Sequence, residues 1–304
     1  VYHNFDFTKV GEVLLHGTNW WWMFFSLLFG VLAQVFRGWR WKQMLEPLEA
    51  FPKRSDCVNA IFISYAASLI VPRVGEVSRC GVLAKYDNVS FAKSLGTVVT
   101  ERLVDTLTIL LITGVTVLLQ LPIFVTFLQQ TGTKIPSLLH LLTSVWFYIV
   151  LFCFIGVGML LYYLRKTLFF YERVKGFVLN IWEGVMSLKG VRNIPLFSFY
   201  TLAIWGCYFF HFYFTFYCFA FTAHLSILAA LVMFVGGTFA VIVPTPNGAG
   251  PWHFAVISMM MLYGVNETDA GIFALIVHGI QTFLVVLLGV YGLAALSLTN
   301  RQRK

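Results

Sequence analysis

The sequence predicts an all-α membrane protein: one transmembrane domain over residues 1–304, a polytopic helix bundle in which two broken hairpins re-enter the bilayer from opposite faces as an inverted repeat. Three observations predict it. Of the 304 residues, 59% are apolar and only 11% charged, with a mean hydropathy of +0.81, whereas a soluble domain carries about 25% charge. Residues 106–133, 135–164 and 193–266 contain no Asp, Glu, Lys or Arg, and a helix needs only about 20 apolar residues to cross the hydrocarbon. Two shorter apolar runs end in proline–glycine breaks, Pro72-Arg73-Val74-Gly75 and Pro244-Thr245-Pro246-Asn247-Gly248-Ala249-Gly250.

Residues 1–19 form an external segment without the basic start of a signal peptide. Residue 1 is Val, so the chain is expected to be a fragment whose native start precedes it; whether that start holds a further span is left open by the sequence. Residues 20–36, 95–120, 143–164, 196–222 and 270–297 are long and apolar enough to cross. Residues 56–86 and 226–263 are the two hairpins, each a short apolar stretch, a break and a second short helical stretch. Trp20-Trp21-Trp22 and the run Arg37-Gly38-Trp39-Arg40-Trp41-Lys42 read as interfacial anchors at the two ends of the first span. Residues 165–192, with aromatic and aliphatic residues spaced among charges, read as an amphipathic segment on the cytoplasmic surface. The aromatic stretch Trp205 to Phe221 reads as a lipid-facing surface.

Loop charge sets the direction of each hairpin. Arg37, Arg40, Lys42, Lys53 and Arg54 follow the first span; Arg165, Lys166, Arg173, Lys175, Lys189 and Arg192 lie in the 165–192 segment; Arg301, Arg303 and Lys304 end the chain. All three groups belong in the cytoplasm. If residues 56–71 crossed fully, the six-cation segment would lie outside, so this hairpin must enter and leave on the cytoplasmic side. The same parity brings residues 226–263 in from the outside, since the tail must end inside. The likeness of ASLIVPRVG and FAVIVPTPNG adds weak support to pairing the two halves, since an apolar run ending in proline is common. Broken helices of opposite direction that meet at the midplane are a transporter architecture; two Pro-kinked ordinary helices are the plainer alternative.

The net charge of +8 lies in these connections, which points to anionic lipid at the basic loops rather than nucleic acid. Cys57, Cys80, Cys153, Cys207 and Cys218 are far apart, without CxxC spacing, and read as packing residues. No P-loop, dinucleotide-binding glycine pattern, HExxH or GxSxG motif is present, so no enzyme activity, metal or cofactor is expected. The sequence carries no signal of oligomeric state.

The candidate site is where charge is expensive. Arg73, Glu76 and Arg79 follow the first break, and Glu101, Arg102 and Asp105 open the long helix after it. Ionisable groups at membrane depth cost about 3 kcal/mol each unless paired or facing water. Three arginines against three carboxylates suit an internal ion-pair network. Arg73, Glu76 and Arg79 share a helix face at i, i+3, Glu101 and Asp105 share one at i, i+4, and Arg102 points elsewhere. A guanidinium left facing a cavity suits a phosphate, helped by free N–H groups at a helix start just after Gly75. Pinning of helices is the other reading of Glu101 and Asp105, and of Arg73 and Arg79. In the second half, Asn247, Gly248, Gly250 and His253 surround the break, and His278 and Gln281 lie on the next span. These uncharged groups suit a neutral or sugar portion of a ligand, and the histidines a proton relay. For His211 and His224 hydrogen bonding inside the bundle is the favoured reading, and for His253 both readings stand.

FRGWRWKQML, PRVGEVSR, GTVVTERLVDTLTIL and PTPNGAGPWH, in this order, resemble the transmembrane region of lysylphosphatidylglycerol synthases and its stand-alone, flippase-like relatives, over nearly the whole chain. The resemblance implies an integral protein of the bacterial inner membrane that binds or moves lipids, such as aminoacylated phospholipids or polyprenyl-linked carriers. Many relatives have a Gly-Gly turn and then an acidic residue in the second motif; here Asn247-Gly248-Ala249-Gly250 stands there, with His253 near the acid's place. No aminoacyl-transfer domain follows Lys304, so synthase activity is not expected. The expected function is to bind and translocate a phosphate-bearing lipid. A membrane-embedded transferase using Glu101, Asp105 or His253 as a base, a transporter of small solutes or ions, and a non-transporting accessory subunit are the alternatives.

Overall fold

The computed structural model describes residues 7–123 and 171–301, with residues 125 and 152. The expected span 143–164, nearly all of the connection 121–142 and residues 165–170 lie outside the described residues. Those described are helical, with no strand among them. Four helical stretches, Trp20–Leu48, Phe91–Leu119, Ile194–Cys218 and Glu267–Thr299, are long and apolar enough to cross a membrane.

A short helix α1 (Phe7–Glu12) runs into a π-turn, Val13–Gly17. Helix α2 (Trp20–Leu45) starts where the Asn19 side chain accepts the Trp21 N–H. It does not stop at the end of its apolar stretch. Its buried face recurs every three to four residues, through Met23, Ser26, Gly30, Gln34, Arg37, Trp41 and Met44, so the basic run after Phe36 continues the helix. Glu46-Pro47 then closes it in a 3-10 turn.

Helix α3 (Arg54–Ile70) ends because Val71, held extended at φ −129° and ψ 117°, precedes Pro72. Arg73 reverses the chain in the left-handed region, at φ 65°, and α4 (Val74–Asp87) returns along α3. Gly75 is required at this crossing, since a methyl group there would overlap the Ser64 carbonyl oxygen. Helix α5 (Phe91–Leu119) is capped by Ser90, whose hydroxyl accepts the Lys93 N–H. Helix α6 (Tyr171–Met186) packs on α5.

Helix α7 (Ile194–Tyr213), with Asn193 as its cap, is prolonged by a 3-10 turn, Phe214–Cys218. Phe29 meets Phe210 and Phe36 meets Tyr200, so α7 runs antiparallel to α2. Helix α8 (Ile227–Ala240) and helix α9 (Pro251–Leu262) form the second hairpin, and α10 (Glu267–Arg301) packs on α9 and α3.

Two apolar cores form around opposite ends of α2. Near its start, Met23 joins Phe212, Phe216 and Phe219 with Met233, Met260 and Phe273 of the second hairpin and α10. Near its end, Trp41 and Leu45 join Cys57, Ile61, Cys80 and Leu83 of the first hairpin, with Val98 of α5. The hairpins therefore pack at opposite ends of a 26-residue helix, about 39 Å long at 1.5 Å per residue. Their tips meet between: Arg73 Nη2 donates to the Ile242 carbonyl at 3.0 Å. The connection after α2 and the one before α7 also touch, because Pro47 packs against Gly190.

Three expectations are corrected. The stretch from Trp205 to Phe221 is not chiefly a lipid-facing surface: Phe212 at the end of α7, Phe216 in the 3-10 turn and Phe219 after it fill the first core. His224 is not hydrogen-bonded inside the bundle but exposed in the turn before α8. The helix after the first break begins at Val74, and the N–H groups of Val74 and Glu76 are taken by the carbonyls of Val71 and Arg73. Cys57, Cys80, Cys207 and Cys218 are free thiols, and Cys153 lies outside the described residues.

Within a bilayer, apolar burial against protein gains little over burial in lipid, so close backbone approach carries much of the helix association. Gly75→Ala should therefore lower stability by about 1–3 kcal/mol, seen as a lower thermal unfolding midpoint of the detergent-solubilised protein. Gly81→Ala, with open space around its Cβ position, should leave the midpoint unchanged.

Candidate functional site

Glu101 and Asp105 lie one turn apart on the inner face of α5, both buried. Arg37 Nη1 donates to Glu101 Oε1 and, at 2.7 Å, to Asp105 Oδ2. Arg40 Nη2 donates to Asp105 Oδ1 at 2.7 Å, and its Nη1 to the Thr201 hydroxyl at 3.2 Å. Arg79 Nη1 donates to Glu101 Oε2 at 2.9 Å. The Arg79 guanidinium also sits 4.7 Å from the centroid of the Trp41 ring, whose Nε1–H donates to the Thr97 hydroxyl at 2.9 Å. One cluster thus ties α2, α4, α5 and α7 together.

The cluster is unbalanced. Arg37, Arg40 and Arg79 are 3%, 0% and 1% exposed, and these three guanidinium groups face two carboxylates. Among the described residues, Nε of all three and Nη2 of Arg79 have no hydrogen-bond partner. Dehydrating such an ion costs several kcal/mol, so an excess cation with unused N–H groups is a place that an anion would stabilise. Arg102, half-exposed, closes the outer side: its Nε lies 3.2 Å from Glu76 Oε1, and its Nη2 reaches Glu101 at 3.4 Å.

The six expected charged residues therefore divide. Glu101, Asp105 and Arg79 form the buried cluster, and Glu76 and Arg102 pair at its edge. Arg73 stands apart at the hairpin tip, exposed, with its guanidinium on the second hairpin. Arg37 and Arg40 correct the reading of the basic run as an interfacial anchor: they are the main cations of the cluster and do not belong with the loop charges. The signal for them was present in the sequence. Gly30, Gln34, Arg37 and Trp41 continue a three-to-four-residue repeat that carries helix α2 past its apolar stretch.

The second break is held by α10. Asn247, at φ 53°, and Gly248, at φ 74°, turn the chain in the left-handed region. Asn247 Nδ2 donates to the Thr282 hydroxyl at 2.7 Å, and His278 Nε2 donates to the Asn247 carbonyl at 3.0 Å. That carbonyl can only accept, which assigns the proton to His278 Nε2. Gly250, at φ 93°, donates its N–H to His253 Nδ1 at 3.2 Å. The His253 and His278 rings lie 4.6 Å apart. Asn247, His253 and His278 thus come together around the turn that Gly248 and Gly250 permit.

Between this turn and α2 is a cavity of about 200 Å3. Gly30 and Gln34 of α2, Tyr65 of α3 and Tyr208 and His211 of α7 form one side; Asn247, Trp252, His278 and Gln281 form the other, with Val241, Leu284 and Val285. The Tyr65 and Tyr208 hydroxyls are 2.6 Å apart. The Arg37 guanidinium lies 5.8 Å from the centroid of the Tyr208 ring, so that ring adjoins both the cavity and the cluster. Among the described residues, no group of His, Cys, Asp and Glu is arranged to hold a metal ion.

A family model described as the lysylphosphatidylglycerol synthase TM region matches residues 1–289. No curated protein and no solved structure matches the chain.

Removing one carboxylate from the cluster leaves buried guanidinium charge unpaired. Glu101→Gln should cost about 3–5 kcal/mol and Glu76→Gln, at the half-exposed pair, less than about 1 kcal/mol. Thermal unfolding of the two purified variants checks the order, and equal losses would contradict it.

Proposed function

We propose that this chain, which belongs to the lysylphosphatidylglycerol synthase TM region family, binds a phosphate-bearing lipid between its two helical hairpins and passes the headgroup across the bacterial inner membrane. The observation that carries this reading is the excess of buried guanidinium over carboxylate, one turn of α2 from an uncharged polar cavity. An anionic phosphate supplies the charge that the cluster lacks, and Arg guanidinium matches phosphate oxygens in pairs. Exposed Leu103, Leu107, Leu111 and Leu118 on α5, and Phe283, Leu287 and Val290 on α10, offer acyl chains an apolar path.

In this reading Arg73 is the moving contact. It is exposed and holds the hairpin tips by one hydrogen bond to a backbone carbonyl, whereas each hairpin base is packed in its own core. A phosphate at the tip competes for that guanidinium and frees the second hairpin. Glu76 and Arg102 form the rim of the passage; Asn247, Gly248, Gly250, His253 and His278 form the facing wall. With no nucleotide-hydrolysis motif in the chain, movement runs downhill or is coupled to a proton or another ion. Exposed Lys53, Arg54, Lys189 and Arg192 lie in the two connections brought together by Pro47 and Gly190. They suit anionic lipid on the cytoplasmic face, where the C-terminus also lies in this reading.

Arg73→Ala should slow transbilayer movement of a fluorescent anionic phospholipid in reconstituted vesicles about tenfold, the equivalent of one charged hydrogen bond. Full retention of the rate overturns the headgroup assignment. Cysteine at Lys85 or at Thr268 tests the hairpins: a membrane-impermeant thiol reagent should label Lys85→Cys only from the cytoplasmic side and Thr268→Cys only from outside. The reverse pattern dismantles the opposed-hairpin topology.

A further inference from the structure

Gln34 is 4% exposed and borders the central cavity, yet among the described residues its side-chain oxygen has no hydrogen-bond partner. On the opposite wall Gln281 has the same feature at its side-chain nitrogen. Buried amide ends are seldom left unpaired, because each gives up its hydration. Rotation about the last side-chain bond lets either amide turn its donor or its acceptor to the cavity, so the two walls present unused hydrogen-bonding capacity of both kinds. His211, whose Nδ1 donates to the Ser26 carbonyl at 2.7 Å, also lines the space, with its Nε2 edge against Gly30. The paired Tyr65 and Tyr208 hydroxyls add a further donor and acceptors.

The lining contains no Asp, Glu, Lys or Arg. A cationic group entering it would meet no carboxylate, and an anionic group no guanidinium. The Trp252 ring and the Val241 and Leu284 side chains supply apolar faces between the polar ones. Alternating amide and hydroxyl groups with aromatic and aliphatic faces match a polyol, whose hydroxyls and C–H faces alternate in the same way. At about 200 Å3 the space equals roughly six or seven water molecules at about 30 Å3 each, enough for a glycerol unit or a single sugar ring.

We infer that this cavity is the binding site for a neutral, hydroxyl-rich headgroup, held by Gln34 and Gln281 while the phosphate that carries it faces the arginine cluster. The inference rests on the lipid-binding reading and adds to it the chemistry of the headgroup. Gln34 and Arg37 are three positions apart on the same face of α2, and Tyr208 forms a wall of the cavity and a neighbour of Arg37. A headgroup in which a phosphodiester bears a polyol spans the two places, whereas a bare phosphate uses one.

The test is binding of defined phospholipids to the purified full chain in detergent, read by native mass spectrometry. Phosphatidylglycerol and phosphatidylinositol carry a neutral polyol on phosphate, phosphatidic acid carries phosphate alone, and an aminoacylated phosphatidylglycerol carries a cation. The wild-type protein should prefer the polyol lipids over phosphatidic acid and over the aminoacylated lipid by about tenfold, the worth of one or two neutral hydrogen bonds. Gln34→Leu and Gln281→Leu should each reduce that preference to within about twofold. Gln281, less buried, carries the test alone if Gln34→Leu does not fold. Equal binding of polyol lipids and phosphatidic acid, or unchanged preference in both variants, overturns the inference and leaves the phosphate reading standing. Preference for the aminoacylated lipid also overturns it, and binding of none of the lipids overturns both.

Discussion

Everything else in this protein is arranged around the need to neutralise charge buried among α2, α4, α5 and α7. An arginine or carboxylate inside a membrane bundle persists only if partners of opposite charge replace its water. Glu101 and Asp105 provide four oxygens, and Arg37, Arg40 and Arg79 approach them from two different helices. This fixes the rotation of α2 about its axis, which in turn brings Gln34 and Gly30, on the same face, to the cavity. It also fixes the first hairpin, because Arg79 is on its return helix. The surplus guanidinium leaves N–H groups of Arg37, Arg40 and Arg79 without partners among the described residues.

The hairpins are held unequally along their lengths. Their bases are packed in separate apolar cores at the two ends of α2, while the tips share a hydrogen bond from Arg73 to the Ile242 carbonyl. The bases are therefore held by apolar packing, and the tips by this hydrogen bond together with packing of the second turn on α3. The tips themselves, with Ile70, Val71, Ile242 and Val243 exposed, are apolar except for Arg73.

Much of this was legible in residue order. Pro72 and Pro244 mark the two breaks because a proline forces the residue before it out of the helix, and the structure turns at both. The i, i+4 spacing of Glu101 and Asp105 placed both carboxylates on one face. Their partners were less visible. Arg37 and Arg40 stand in a tryptophan-rich basic run, which by composition alone resembles an interfacial anchor; only the continued three-to-four-residue repeat from Gly30 to Met44 distinguishes the two. The aromatic run before Phe221 likewise is aromatic nearly all round, so which of its rings enter the core was decided by packing against the second hairpin and α10.

By itself the sequence determined the membrane class, the family, the helical breaks and, at Glu101, Asp105 and Arg79, part of the charge that is buried. Each of these follows from local properties: hydropathy over one span, the backbone limits of proline, the cost of an unpaired ion. Tertiary structure alone decided which arginine meets which carboxylate, that Arg73 bridges the hairpins instead of joining the cluster, and that Gln34 and Gln281 line one cavity. Those outcomes depend on the rotation and crossing of helices distant in sequence, and any of several cations could have met the same carboxylates until packing at Gly75 and in the two cores excluded the others.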